Sequence, residues 1–62
     1  METWFISYKY FRENGAIGEG DWFYDAPSAL NPEDIAKQFK TMVGALKKVS
    51  ADSIILLAFN KV

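Results

Sequence analysis

The sequence predicts a single small α+β domain of order ββαβ, in which a three-stranded antiparallel sheet is covered on one face by one helix. Two aromatic and β-branched runs flank Asn14-Gly15, a dipeptide typical of hairpin turns. A helix with a proline start follows, and the chain closes on an apolar run. The predicted elements, in one domain of residues 1–62, are a strand over 3–12, a hairpin over 13–18, a strand over 19–26, a helix over 32–48 and a strand over 53–60.

Composition excludes several classes of protein. Half of the 62 residues are hydrophobic and 24% are charged, which is typical of a globular domain and not of a disordered chain. The chain contains neither cysteine nor histidine, so it has no disulfide, no thiolate nucleophile, no imidazole base and none of the usual zinc ligands. Because its serines have no histidine to activate them, we expect no catalytic residues and no cofactor. Because the spacing of Glu13, Glu19, Asp21 and Asp25 matches no calcium-binding loop, we expect no metal site either.

No segment of the chain predicts membrane insertion. The longest strongly apolar run, from Ile54 to Phe59, is too short to cross a bilayer, and the first residues lack the charged-then-apolar pattern of a secretory signal. We therefore expect a cytoplasmic protein without a membrane partner.

The register of the hairpin depends on which residues share a face. A two-residue turn at Asn14-Gly15 would set Trp4 opposite Asp25 and so mix aromatic and acidic residues on one side. A three-residue loop over 14–16 instead makes one face wholly apolar, and we favour it. Its predicted cross-strand pairs are Trp4 with Ala26, Ile6 with Tyr24, Tyr8 with Trp22 and Tyr10 with Gly20 on the apolar face, and Lys9 with Asp21 in a salt bridge on the other.

A helix is predicted from Pro32 to Lys48. Asn31 can cap its N-terminus, proline suits the first helical position, and the two acids that follow lie at the positive end of the helix dipole. Apolar residues repeat at helical spacing along one side, with lysines on the other. This apolar stripe consists of Ile35, Phe39, Met42, Val43, Leu46 and Val49.

The closing run predicts a third strand that is apolar on both faces. Because a helix of about 24 Å connects it to the second strand, it is expected to run parallel to that strand. We place it beside the first strand, which gives the sheet order 2-1-3, since the first strand carries large apolar side chains on both faces as a central strand does.

One helix covers only one face of this sheet, so the other face is expected to expose apolar side chains. Exposed apolar area of this extent usually marks an interface, and small domains commonly gain stability by oligomerising. We expect a homodimer formed through this face or through the edge of the third strand; the alternative is a monomer whose phenylalanines are partly covered by neighbouring side chains. The predicted interface residues are Phe5, Phe11, Phe23, Ile55, Leu57 and Phe59.

Charge is distributed unevenly, although the net charge is only −1. Residues 13–34 carry six acids and no base, whereas residues 35–48 carry four lysines and no acid. The acidic segment suits a protein partner with a basic surface, because complementary charge speeds and directs association. The residues expected to bind this partner are Glu13, Glu19, Asp21 and Asp25.

Two other functions stay open. Aromatic side chains with a polar rim atom can stack on the bases of a nucleotide or a single-stranded nucleic acid. These are Trp4, Tyr8, Tyr10, Trp22 and Tyr24. The aromatic hairpin has only Lys9 and Arg12 as bases and adjoins the acidic segment, which disfavours nucleic acid as a partner. The remaining alternative is a structural subunit of a larger assembly.

The run WFISYKY, a glycine-rich turn, a capped amphipathic helix and a closing IILLAFN follow one another over most of the chain. In length and element order this pattern resembles small accessory proteins encoded by bacteriophages and prophages. Many such proteins bind a host protein, among them inhibitors of host defence systems such as anti-CRISPR proteins. The resemblance implies an interaction module that inhibits a host protein in the host cytoplasm, and it carries over no functional residue.

Overall fold

The computed structural model describes residues 1–62 and has three strands, one α-helix and one short 3₁₀ helix. The strands form one antiparallel sheet of order β2-β1-β3, so the predicted α+β class and sheet order are confirmed. The elements in chain order are β1 (Glu2–Phe11), β2 (Ile17–Ala26), α1 (Pro32–Lys47), the 3₁₀ helix (Ala51–Ser53) and β3 (Ile54–Lys61).

The hairpin keeps the predicted faces but is shifted by two residues. Trp4 lies opposite Tyr24 instead of Ala26, and Lys9 lies opposite Glu19 instead of Asp21. A shift of two residues leaves every side chain on its expected face, because side chains alternate with a period of two. The predicted cross-strand pairs are therefore wrong, and the observed pairs on the apolar face also include Ile6 with Trp22, Tyr8 with Gly20 and Tyr10 with Gly18.

The loop of the hairpin explains the shift. It spans residues 13–15, since the Arg12 N–H donates to the Ala16 carbonyl and the Gly15 N–H donates to the Arg12 carbonyl, both at 2.9 Å. A three-residue loop places its last residue in the left-handed region, and Gly15 has φ 87°. In the predicted loop over 14–16 that conformation would fall on Ala16, whose Cβ disfavours it. The loop has the predicted length and begins one residue earlier.

β3 pairs with β1 across a bulge. Leu57 is an extra residue between Leu56 and Ala58 and has no partner in β1. An extra residue changes the face to which the following side chains point. Phe59 was expected on the uncovered face, but it lies on the helix side, where its ring stacks on Trp4 with 4.7 Å between centroids. That placement was wrong because strict alternation along the strand does not anticipate the bulge.

α1 begins as its sequence predicts and ends one residue before the predicted end. The Asn31 Oδ1 accepts a hydrogen bond of 2.9 Å from the Asp34 N–H. Lys48 takes the left-handed conformation with φ 59°, and the Val49 N–H donates to the Gly44 carbonyl at 3.0 Å. This left-handed residue stops the helix and turns the chain back toward the sheet.

The core lies between α1 and the face of the sheet that it covers. Phe39 is fully buried, and the rings of Tyr8 and Tyr24 each meet its ring edge-on at 5.5 Å. The nine buried hydrophobic residues are Trp4, Ile6, Tyr8, Tyr10, Ala26, Ile35, Phe39, Val43 and Ile54.

Two residues expected in the core are exposed. Trp22 faces the helix side but lies on the edge strand, which one helix does not cover fully, and it remains 42% exposed. Leu46 was expected in the apolar stripe and is 59% exposed. The large buried side chains of the helix, those of Ile35, Phe39 and Val43, are four residues apart, so their line of contact continues to residue 47 and misses Leu46.

Candidate interaction surface

The face of the sheet opposite α1 is uncovered, and we call it the open face. It has an apolar pair at each end. At one end, Phe5 and Phe23 are opposite each other with 5.3 Å between ring centroids. At the other end, Phe11 pairs with Ile17. The six steps along β1 from Phe5 to Phe11 span about 20 Å at the usual rise of a strand. The open face therefore offers two separated apolar contacts.

Exposure is greatest along the edge strand β2. Phe23 is 64% exposed and Ile17 is 62% exposed, the highest values among the large hydrophobic side chains of this face. Ile55 of β3 extends the apolar surface on the far side of Lys9. These apolar side chains share one face with charged residues, and an apolar surface bordered by polar residues is typical of an interaction site.

Three of the four predicted partner-binding acids lie together on β2. Glu19, Asp21 and Asp25 alternate with the intervening residues and so point to the open face, where all three are exposed. We call these three residues the acidic rim. Glu13 is exposed as well, but it lies in the hairpin loop and is separate from the rim. The rim surrounds Phe23, which stands between Asp21 and Asp25 in the strand.

The acidic rim has no ion-pair partner within the protein. The predicted salt bridge between Lys9 and Asp21 is absent, and the Lys9 Nζ lies 5.6 Å from the centroid of the Phe11 ring instead. The only salt bridge of the chain joins Lys61 to Glu2 at 3.2 Å. Asp25 accepts one hydrogen bond, from the Thr3 hydroxyl. The carboxylates of the rim are thus available to an external cation.

The predicted oligomer-interface residues are only partly brought together. Phe5, Phe11, Phe23 and Ile55 share the open face, Leu57 occupies the bulge, and Phe59 lies on the helix side. Sequence reasoning missed Ile17, because residues 13–18 were assigned to the hairpin loop. The signal that could have placed it in the strand is Gly15, which suits the left-handed last position of a three-residue loop and so starts the second strand at Ala16 or Ile17.

The aromatic residues are not arranged as a platform for stacking bases, which requires several exposed rings on one face. Trp4, Tyr8 and Tyr10 are buried in the core, and Tyr24 is half-buried against Phe39. Among the five residues considered for stacking, Trp22 alone is exposed, and it points to the helix side of the sheet.

The remaining features of the chain add no chemistry to this face. No group of three or more acidic side chains has the geometry to hold a metal ion. The one helix is too short and too polar to span a membrane. Lys37, Lys40 and Lys47 lie on α1, on the side of the sheet opposite the acidic rim.

Comparison with known protein families, curated proteins and solved structures gives no match to this chain. The fold and its surface define the protein as a small α+β domain with one covered and one uncovered sheet face. Its function is inferred from that uncovered face.

Proposed function

We propose that this protein is a non-catalytic interaction module whose open face binds a protein partner presenting basic and apolar side chains together. The observation that carries the proposal is the position of Phe23, which is largely exposed between Asp21 and Asp25, two carboxylates without an ion-pair partner. A purely solvated surface gains nothing from an exposed phenylalanine, and a purely apolar interface gains nothing from three carboxylates without an ion-pair partner. A partner that presents apolar and basic side chains together would cover the phenylalanine and pair with the carboxylates.

The two parts of the surface would contribute differently. Burial of an exposed apolar side chain such as Phe23 or Ile17 contributes about 1.5–3 kcal/mol, so these residues supply affinity. The acidic rim supplies speed and selection, since complementary charge accelerates encounter and disfavours acidic competitors. Binding is therefore expected to depend on salt mainly through its association rate.

Occlusion of a basic surface also gives a route to inhibition. A partner whose basic surface normally binds a nucleic acid or another acidic ligand cannot do so while the acidic rim covers it. This is the activity implied by the resemblance to phage accessory proteins, and we propose it for a host protein partner.

We further propose that the protein forms a homodimer through the edge of β3, which leaves the open face to the partner. Two open faces in contact would bring the acidic rims of both copies into one interface with only Lys9 to offset them. The edge of β3 carries no charge from Ser53 to Asn60, and unpaired strand edges with apolar side chains readily accept another strand. Light scattering would then give twice the chain mass of 7.0 kDa.

The test of partner binding uses three synthetic peptides of equal length, built from lysine and leucine, from lysine and glutamine, or from glutamate and leucine. The isotopically labelled protein is titrated with each, and its amide resonances are followed. The lysine and leucine peptide should bind at least tenfold more tightly than the other two and should shift resonances of β2. Equal binding of the two lysine peptides would contradict a role for the apolar residues.

A matched pair of variants tests the acidic rim. The triple variant E19Q/D21N/D25N and the triple variant E33Q/D34N/D52N remove the same charge from different places. The first should bind the lysine and leucine peptide at least tenfold more weakly, and the second should bind as the wild type does. Equal weakening in both would show that net charge alone governs binding, and the proposed surface would be wrong.

A further inference from the structure

A second feature lies away from the open face. A shallow, open cavity of about 580 Å³ is formed where the hairpin loop meets the C-terminal end of α1. Its volume is in the range of small-molecule sites. The polar residues that line it are Arg12, Glu13, Asn14, Lys48, Ser50 and Ser53.

Arg12 is fixed at this cavity by two contacts. Its Nη1 donates a hydrogen bond of 3.0 Å to the Lys47 carbonyl, and its Cζ lies 5.3 Å from the centroid of the Tyr10 ring. A guanidinium has five N–H donors in a planar fork, so one bond to a carbonyl leaves the others free. A guanidinium held in place in this way is suited to bind an oxyanion.

Three neutral side chains of the cavity have hydrogen-bond donors without a partner in the protein. The Asn14 Oδ1 accepts from the Ala16 N–H at 3.0 Å, which leaves the amide NH₂ unpaired. The Ser50 Oγ accepts from the Asp52 N–H at 3.3 Å, which leaves its hydroxyl hydrogen unpaired. The Ser53 hydroxyl makes no side-chain hydrogen bond and can also donate.

The charges of the cavity favour an anion as well. Arg12 and Lys48 are cationic, and Glu13 is the only carboxylate in the lining. The negative end of α1 lies nearby and opposes an anion, although two of its four last carbonyls are paired, that of Lys47 with Arg12 and that of Gly44 with Val49. The lining thus contains two cationic side chains and three neutral hydrogen-bond donors, but only one carboxylate.

We propose that this cavity binds the phosphoryl group of a small phosphorylated molecule. A phosphoryl group offers several acceptor oxygens to one cluster of donors, whereas a carboxylate offers two. The cavity shares Phe11 with the open face, but none of its residues belongs to the acidic rim. Glu13, which the sequence grouped with the rim acids, lies instead at the cavity and opposes the anion.

The test is a titration of the labelled protein with sodium phosphate and with glycerol 3-phosphate, each compared with sodium chloride at equal ionic strength. Both phosphates should shift the amide resonances of Arg12, Asn14, Ser50 and Ser53, and glycerol 3-phosphate should bind at least as tightly as phosphate. Binding of inorganic phosphate alone would overturn the assignment to a phosphorylated small molecule. Shifts spread equally over the lysines of α1 would overturn the site itself.

Three variants decide whether the cavity is the site. Glu13→Gln removes the opposing carboxylate and should raise the affinity for phosphate at least threefold. Lys48→Asn, which suits the left-handed conformation at that position, should lower it at least threefold, and Lys37→Gln, the control outside the cavity, should leave it unchanged. Equal affinities for wild type and the Glu13→Gln variant would overturn the proposal, and this gain of affinity cannot arise from unfolding.

Discussion

The ring of Tyr10 lies directly over Gly18 of the neighbouring strand and occupies the space that a Cβ at Gly18 would need. Tyr8 and Gly20 repeat this arrangement two residues further, where an added Cβ would lie 2.6 Å from the tyrosine hydroxyl oxygen. Both tyrosines are buried although they face an edge strand, because the glycines let their rings lie across the backbone of β2. These two pairs fix the register of the hairpin.

The first prediction concerns Gly18. Gly18→Ala forces the Tyr10 ring out of its place, and overpacking of this kind should lower the free energy of unfolding by about 1–3 kcal/mol. Chemical denaturation measures the change. The same substitution in a Tyr10→Val background should cost much less, since the ring is gone. An equal cost in both backgrounds would mean that the ring does not determine the effect.

The contact between Tyr10 and Gly18 also shows which property of the hairpin, its register, could not be predicted from the alternation of polar and apolar residues. The alternation of side chains along the two strands predicted the correct face for each of them, because the face depends only on whether a position in the strand is odd or even. The register depends instead on which loop residue takes the left-handed conformation and on which residues leave room for a ring. Neither Gly15 nor Gly18 reveals that role in a pattern of polar and apolar residues.

The open face was predicted in the same partial way. The sequence indicated one uncovered face, and Phe5, Phe11 and Phe23 lie on it. Phe59 was misplaced because the bulge at Leu57 changes the face of the residues beyond it, and Ile17 was missed because it was taken as part of the loop. The cavity at Arg12 could not be predicted, since it joins segments that are about 35 residues apart in sequence.

The second prediction concerns Gly44, which is buried within α1. Alanine in place of glycine usually stabilises a helix by about 1 kcal/mol. Here the new Cβ would lie 2.9 Å from the Val49 carbonyl oxygen, so Gly44→Ala should destabilise the protein. Ala45→Gly, at the exposed neighbouring position, is the control and should cost about 1 kcal/mol for lost helix propensity. A stabilised Gly44→Ala variant would show that the backbone at Val49 can shift away from the new Cβ at little cost.

The third prediction tests the bulge in β3. Phe59→Ala removes a ring stacked on Trp4 and should lower the free energy of unfolding by about 2–4 kcal/mol. Leu57→Ala changes a residue that is 53% exposed and should cost less than about 1 kcal/mol. Thermal and chemical denaturation of the two variants give the comparison. The opposite order would mean that β3 alternates without a bulge and that Leu57 faces the core.

The fourth prediction separates binding from stability on the open face. Phe23→Ser should weaken binding of the lysine and leucine peptide at least tenfold, because it removes the most exposed aromatic side chain between the rim acids. Phe23→Ser should lower the free energy of unfolding by only about 1 kcal/mol, which is the contribution expected from the contact between the Phe23 and Phe5 rings. Leu46→Ser is the matched control, since it removes an apolar side chain of similar exposure from α1 and should leave peptide binding unchanged. If both variants bind the peptide as the wild type does, the open face is not the binding surface. If both variants weaken binding equally, the peptide binds any exposed apolar side chain and the open face has no special role.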